Sequence, residues 1–580
     1  MVVVSDIVRN GIRKKAAALF LAVSLSLGTA GCGQANNPAE TQSPGRIQDP
    51  DGTQDTGGIQ NPGGIQDSGG MQEPGGTRDS GGMQEPGGTQ DSGGIQNPGG
   101  TQDSGGIQNP GGTQDSGSGR NPGGTGNPSG AGGFAAAGGD TSENGENAQG
   151  SSTGSSTTGV YQWNRLDTAN IKLPSAYDYR KTGRAPQIGN QGSLGTCWAF
   201  ASLTALESSL LPGKSMTFAV DHMSMHNSFL LGQDEGGEYT MSMAYLLAWQ
   251  GPVLESQDPY GDGVSPDGLA PSVHVQEIQV LPSKDYEAIK RAVYLRGGVQ
   301  SSLYTSMRDY QSQSVYYNRE TNSYCYIGNE KPNHDSVIVG WDDNYSRENF
   351  NLDLAGDGAF ICTNSWGENF GDEGYFYVSY YDTNIGVHNI VYTGAESAGL
   401  YEKIYQSDLC GWVGQIGYGR DTVWAANTFR AGEKEELEAA GFYATGSDTE
   451  YEMYLARYLP EVQEGISGAE KESQSARMDR ALNDRRPIAR GKLMYSGYYT
   501  VPFDEKILLD AGEKFAIIVK IKTPDTVHPA AIEYDAGDGI ARVDLTDGEG
   551  YLSHDGSLWE RVEETQKCNL CLKAYTNTKG

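Results

Sequence analysis

Hydrophobic and polar positions divide this 580-residue chain into stretches of different character. At the start, a basic segment with Arg9, Arg13, Lys14 and Lys15 leads into an apolar run over residues 16–27, followed by Gly28-Thr29-Ala30-Gly31-Cys32. The run is too short for a convincing membrane span. Its order of basic, apolar and small-residue parts predicts a bacterial export signal over residues 1–32. From residue 33 to 158 no helical or strand period survives: a hexapeptide, mostly Gly-Gly-x-Gln-[Asp/Asn/Glu]-[Ser/Pro], recurs from residue 57 to about 116 and then dissolves into Gly/Ser/Thr/Asn sequence. Almost without large apolar side chains, this stretch cannot bury a core and is expected to be disordered. Glycine does not recur at every third position, which excludes a collagen helix. As a flexible coil, roughly 110 residues reach about 60 Å end to end, suiting a tether.

Beyond residue 159 the periodicities return. Residues 198–207 carry apolar side chains at helical spacing, residues 241–249 do the same, and His334 opens an apolar run that predicts a core strand. A second strand ends at Asn364, and a glycine-rich turn leads to a third over residues 375–380. After residue 400, short strand-like runs separated by turn residues follow at 423–429, 438–443, 451–456, 491–501, 515–521, 530–534 and 569–575, predicting an antiparallel β-sandwich. Residues 159–580 exceed what one core usually holds, so two domains are expected, at 159–395 and 396–580.

The chemistry gathers in the first of these domains. Cys197 stands between a glycine-punctuated loop and the predicted helix, where unpaired N–H groups favour thiolate over thiol. A lone buried cysteine is commonly structural, so a partner base decides the reading. His334 is the candidate base, and Asn364, in Asn364-Ser365-Trp366-Gly367, the candidate that orients it. Gln191, six residues before Cys197, supplies an amide near the nucleophile.

The order Gln191, Cys197-Trp198, His334, Asn364-Ser365-Trp366-Gly367 resembles the papain family of cysteine peptidases. The resemblance runs from Leu173-Pro174-Ser175-Ala176-Tyr177-Asp178-Tyr179-Arg180, which is similar to the family's mature N-terminus, to about Tyr381. It implies an α+β papain-like fold with a helical half and a β-barrel-like half. In that family, Cys197 would be the nucleophile and His334 the base that later protonates the leaving amine. Asn364 would hold the imidazole, with Trp366 shielding the bond. Gln191 and the N–H of Cys197 would form the oxyanion hole. Gly236, Gly237 and Tyr239 match the segment lining the substrate groove, where glycine lets an extended peptide approach the backbone.

Departures from the pattern carry information too. Leu194 stands where many relatives have a disulfide cysteine. Asp335 replaces a residue often small and apolar: facing the specificity pocket it favours basic substrate side chains, and facing solvent it means little. A polar insertion over residues 342–358 lacks the ligand spacing of a defined calcium loop and reads as solvated. No helical propeptide pattern precedes the domain. Any latency falls to residues 160–172, where Tyr161-Gln162-Trp163 could occupy the groove.

Small residues before Cys32 resemble a lipoprotein cleavage site, which would make Cys32 the lipid-modified N-terminus on a bacterial cell surface. Ordinary secretion is the alternative. The last domain resembles the lectin-like module of some bacterial surface cysteine proteases, through Ala425-Ala426-Asn427-Thr428-Phe429, Ser496-Gly497-Tyr498-Tyr499-Thr500-Val501, Tyr551-Leu552-Ser553-His554-Asp555-Gly556-Ser557-Leu558-Trp559 and Asn569-Leu570-Cys571-Leu572-Lys573-Ala574-Tyr575. Cell-wall or glycan contact is a possible role for it, although shape alone does not establish sugar binding. Seven cysteines, Cys32 and Cys197 included, do not make a disulfide scaffold, and the single Cys568-Asn569-Leu570-Cys571 is too little for zinc. His222 and His226 share a helical face without a third ligand, so no metal or other cofactor is expected. The net charge of −32 argues against nucleic acid as a partner and fits an extracellular protein acting on protein or peptide substrates. A binding protein with a dead peptidase fold would be expected to lose Cys197, His334 or Gln191, and a transglutaminase typically carries aspartate third.

Overall fold

The computed structural model describes residues 160–161 and 171–579. The export signal with Cys32, the tether at 33–158, and Gln162 and Trp163 lie outside the described residues.

Helix α1 (Cys197–Leu210) starts at Cys197 itself and is buried along most of its length, because it runs through the middle of the first domain. Around it stand α2 (Val220–Met225), α3 (Tyr239–Leu247) and α4 (Tyr286–Leu295). The helix predicted at 241–249 thus begins and ends two residues earlier. One side of α1 meets a sheet built from β1 (Val273–Val280), β2 (Val299–Leu303), β3 (His334–Asp342), β4 (Ala359–Thr363), β5 (Tyr375–Ser379) and β6 (Asn389–Ser397). The order across it is β1-β6-β2-β3-β4-β5. Val337, Val339 and Ile361 of this sheet join Ala199, Leu203 and Leu206 of α1 in one core, while Ile338, Trp341, Phe360 and Cys362 point into a second core on the other side. Both faces of the strand are therefore buried, which is why residues 337–341 read in the sequence as a continuous apolar run.

The C-terminal domain is a sandwich, as the short runs predict. One sheet orders Arg485–Leu493, Thr449–Arg457, Lys514–Lys522, Thr422–Arg430 and Gly550–Ser553 side by side. Facing it are β7 (Glu435–Ala444), β8 (Ser496–Leu509) and β9 (Leu572–Thr578), with Phe442, Tyr499 and Val501 meeting Tyr451, Phe515 and Ile517 between the layers. Three features depart from expectation. The run 491–501 is two strands in different sheets, divided at Met494 and Tyr495, and 569–575 divides at Cys571 between Cys568–Leu570 and β9. A strand that changes sheets keeps its alternation, so the pattern carries no mark of the division. Between strands lies a helix, Ala469–Asn483, that buries only Met478 and Leu482, too few apolar positions to announce itself.

The two domains share one sheet. β8 of the sandwich pairs antiparallel with β1 of the first domain, Ser496 opposite Val280 through Tyr499 opposite Glu277, so thirteen strands among the described residues form a continuous sheet across both. Gly497 makes this junction possible: its φ is +134°, and a Cβ there would lie 2.1 Å from the Ile278 carbonyl oxygen. The backbone of Val160 and Tyr161 pairs with Arg490 and Gly491 at the sandwich edge.

Candidate active site

Cys197 is the first residue of α1 and 3% exposed. Its N-cap, Thr196, makes no side-chain cap bond, which leaves the N–H groups of the first turn unsatisfied by a capping side chain. His334, at the start of β3, is hydrogen-bonded to Cys197 on one side. On the other, its Nε2 lies 2.8 Å from Asn364 Oδ1. The same Asn364 oxygen accepts from the Ser365 N–H at 2.8 Å. That backbone donor fixes which end of the carboxamide is the acceptor, so His334 Nε2 carries the proton it donates and Nδ1 is left to face the sulfur.

Burial works against a charged imidazole at His334, yet the charge on Cys197, the hydrogen bond to it and the bond to Asn364 together hold its pKa above the ordinary value. The geometry therefore favours a protonated imidazole beside the Cys197 sulfur. Trp366 lies over the histidine, ring centroids 4.9 Å apart, and is itself buried, so the bond to Asn364 is kept from water.

Gln191 is 1% exposed and held at both ends of its amide: Nε2 donates to the Leu194 carbonyl at 2.7 Å and Oε1 accepts from Ser365 Oγ at 2.7 Å. Its backbone N–H donates to the Ser365 carbonyl, and Leu194 N–H returns a bond to the Gln191 carbonyl. Hydrogen bonds thus close the turn where Leu194 replaces a disulfide cysteine. An amide NH2 has two protons, and one of those on Gln191 Nε2 is used in the bond to Leu194.

Gly236 lies against Gly195 and Gly237 against Trp198, the residues two before and one after Cys197. Gly236 has φ +85°, and a Cβ on Gly237 would lie 2.6 Å from Trp198 Nε1, so the fold itself requires both glycines. Tyr239 opens α3 with its ring 5.4 Å from that of His388. Asp335 is 8% exposed, which removes the solvent-facing alternative. Its carboxylate accepts from Gln300 Nε2 at 2.9 Å, and burial, reinforced by Cys197, pushes its pKa up to about 6. Glu238 is pushed to about 7 by burial and then by Asp335 itself. Nothing in the sequence marks Glu238, since only the folded chain brings it within reach of Asp335. Ser365 has no function assigned within its motif, and its hydroxyl proves to grip Gln191.

Other candidates resolve into structural roles. His222 Nδ1 is hydrogen-bonded to Tyr245 Oη at 2.7 Å and its ring stacks on His226. In the polar insertion, Asp343 binds Lys290 and Asp357 accepts from the Arg347 N–H. Among the described residues no cluster of His, Cys, Asp and Glu is arranged to hold a metal ion, the six cysteines are all free, and no helix is long and apolar enough to cross a membrane.

Residues 173–395 match the sequence profile of the family described as papain family cysteine protease. The chain carries a papain-family cysteine protease domain. Residues 404–576 match the profile of a lectin-like domain, so a papain-like fold is followed by a lectin-like all-β domain. Among solved structures, the clostridial cysteine protease Cwp84 after propeptide cleavage is 27% identical with a TM-score of 0.59, covering 70% of this chain and all of that one. The structure described as the cysteine protease and lectin-like domains of Cwp84, a surface layer associated protein of Clostridium difficile, is 26% identical with a TM-score of 0.58, covering 70% of this chain and 90% of that one. Mouse (Mus musculus) cathepsin K is 27% identical over 211 residues, which is 35% of this chain and 59% of cathepsin K. The chain therefore spans under two thirds of that relative's length.

Proposed function

We propose that this chain is an extracellular cysteine endopeptidase that cleaves protein or peptide bonds through a thioester on Cys197. The observation that carries the reading is the position of His334, bonded to Cys197 on one side and to Asn364 on the other. Cys197 attacks the scissile carbonyl, and His334 delivers the proton to the leaving amine. Asn364 keeps the imidazole turned, and Trp366 keeps water from that bond. The Gln191 amide and the Cys197 N–H stabilise the oxyanion. The substrate backbone lies along Gly236 and Gly237, with a side chain against Tyr239 and Asp335.

Asp335 and Glu238 together favour a basic substrate side chain, because the charge on Asp335 raises the Glu238 pKa and a cation between them would relieve that repulsion. Export follows the signal over residues 1–32, with Cys32 as the lipid anchor to the cell surface and residues 33–158 as the tether. The surface-layer association of Cwp84 supports that setting. The lectin-like domain is then the part placed to contact cell wall or glycan.

The test compares the wild type and Cys197→Ala on a panel of peptidyl reporters, with an epoxide that alkylates papain-like thiolates. Cleavage and epoxide labelling by the wild type alone are expected. Equal cleavage by both, or by neither, would end the proposal.

A further inference from the structure

The loop from Gln191 to Thr196, which ends beside the nucleophile, is gripped from two sides by groups outside the motifs. On one side, Tyr260 Oη donates to the Gln191 carbonyl at 2.9 Å and is hydrogen-bonded to Thr196 Oγ1 at 2.7 Å. On the other, the Gly195 N–H donates to the Gln233 carbonyl at 2.7 Å. Both grips lead to one carboxylate. Asp221, in the first turn of α2 and fully buried, accepts from Gln233 Nε2 through Oδ1 and from the Gly261 N–H through Oδ2, each at 2.7 Å. Gly261 is the neighbour of Tyr260. The Tyr260 N–H is further held by Glu255 Oε1 at 2.9 Å, and its ring meets Phe200 edge-on at 4.8 Å.

We propose that Tyr260 is a positioning residue of the oxyanion hole, anchored by Asp221. This rests on the roles proposed above for Gln191 and Cys197. The two oxyanion donors stand at opposite ends of one loop, the Gln191 amide at its start and the Cys197 N–H just past its end. One hydroxyl bridging residues 191 and 196 fixes the distance between them. Donors act on an oxyanion only when held about 2.7–3.1 Å from where it forms, so a loosened loop weakens the transition state more than the bound substrate. Burial pushes the Tyr260 phenol up to about 12, so it stays a protonated donor through the neutral range.

Tyr260→Phe deletes the hydroxyl and keeps the ring against Phe200. In hydrolysis of a peptidyl reporter, kcat is expected to fall roughly tenfold, a fraction of the 100- to 1000-fold cost of losing an oxyanion donor outright, with KM within about twofold. Alkylation of Cys197 by iodoacetamide forms no oxyanion, so its rate should not change. Asp221→Asn should lower kcat in the same direction, again without slowing alkylation. In a Gln191→Ala background, adding Tyr260→Phe should cost less than about twofold, because the donor it positions is gone. An unchanged kcat, full additivity with Gln191→Ala, or alkylation slowed in parallel with kcat would each overturn the proposal. A wild type that neither cleaves nor alkylates at Cys197 would instead overturn the peptidase reading on which it stands.

Discussion

The Ser365 hydroxyl donates to Gln191 Oε1 at 2.7 Å and so ties the loop before the nucleophile to the segment just past the strand Ala359–Thr363, which holds Asn364. Gln191, proposed above as the oxyanion donor, and Asn364, proposed to orient the histidine, are therefore held by neighbouring residues, so a shift in one should move the other. A single neutral hydrogen bond of this kind is worth about 1 kcal/mol, so Ser365→Ala should lower kcat about fivefold. Steady-state kinetics on one peptidyl reporter checks this, and an unchanged kcat would show that Gln191 holds its pose without help.

Removing the donor itself has a larger effect. Gln191→Ala should lower kcat by about 100-fold or more with little change in KM, because the amide acts on charge that develops only in the transition state. The variant also loses two buried hydrogen bonds, so it should melt below the wild type, and an unchanged rate of Cys197 alkylation by iodoacetamide in the folded protein separates chemistry from folding.

Charge preference should depend on pH. Burial leaves Asp335 and Glu238 with pKa values near 6 and 7, so both carboxylates are mostly protonated at pH 5 and ionised at pH 8. The ratio of kcat/KM for a lysine-bearing over a leucine-bearing reporter at that position should rise across this window. In Asp335→Asn the rise should shrink, and a flat ratio in the wild type would show that no carboxylate faces the bound side chain.

Stability should carry a separate pH signature at Glu207, which burial pushes to about 8 although it accepts the Phe218 N–H at 2.8 Å. Its folded pKa lies above the unfolded value, so its contribution is fully present below about pH 4.5 and is lost as pH rises through 8. The slope is at most about 1.4 kcal/mol per pH unit in that window. Glu207→Gln keeps an acceptor without the charge. Its melting temperature should gain on the wild type between pH 5 and 8.

The junction between domains offers a mechanical check. Gly497→Ala forces a Cβ against the Ile278 carbonyl at a positive φ, and should cost more than about 2 kcal/mol in chemical denaturation. A neutral result would mean that the shared sheet gives way at this point without cost.

Much of this protein was legible before folding because its signals are local. Cys197 at the head of an apolar helix, His334 at the head of an apolar run and Asn364 at the end of a second strand are each announced by their own neighbours. Strand alternation also gave the sandwich, but not the points where the chain changes sheets at Met494-Tyr495 and at Cys571, since the period continues through both. The helix Ala469–Asn483 escaped because it buries only Met478 and Leu482 and so presents almost no apolar stripe.

By itself, then, the sequence determined the order of the functional groups, the class of each domain and the chemistry that Cys197, His334, Asn364 and Gln191 can perform. Only the tertiary structure decided what holds them. Ser365 against Gln191, Tyr260 across the loop, Asp221 beneath both clamps and Glu238 beside Asp335 are contacts between residues distant in the chain or unmarked by any period. Nothing local to either partner specifies such contacts. They arise when the core closes and buried polar groups must find partners or bear the cost of having none.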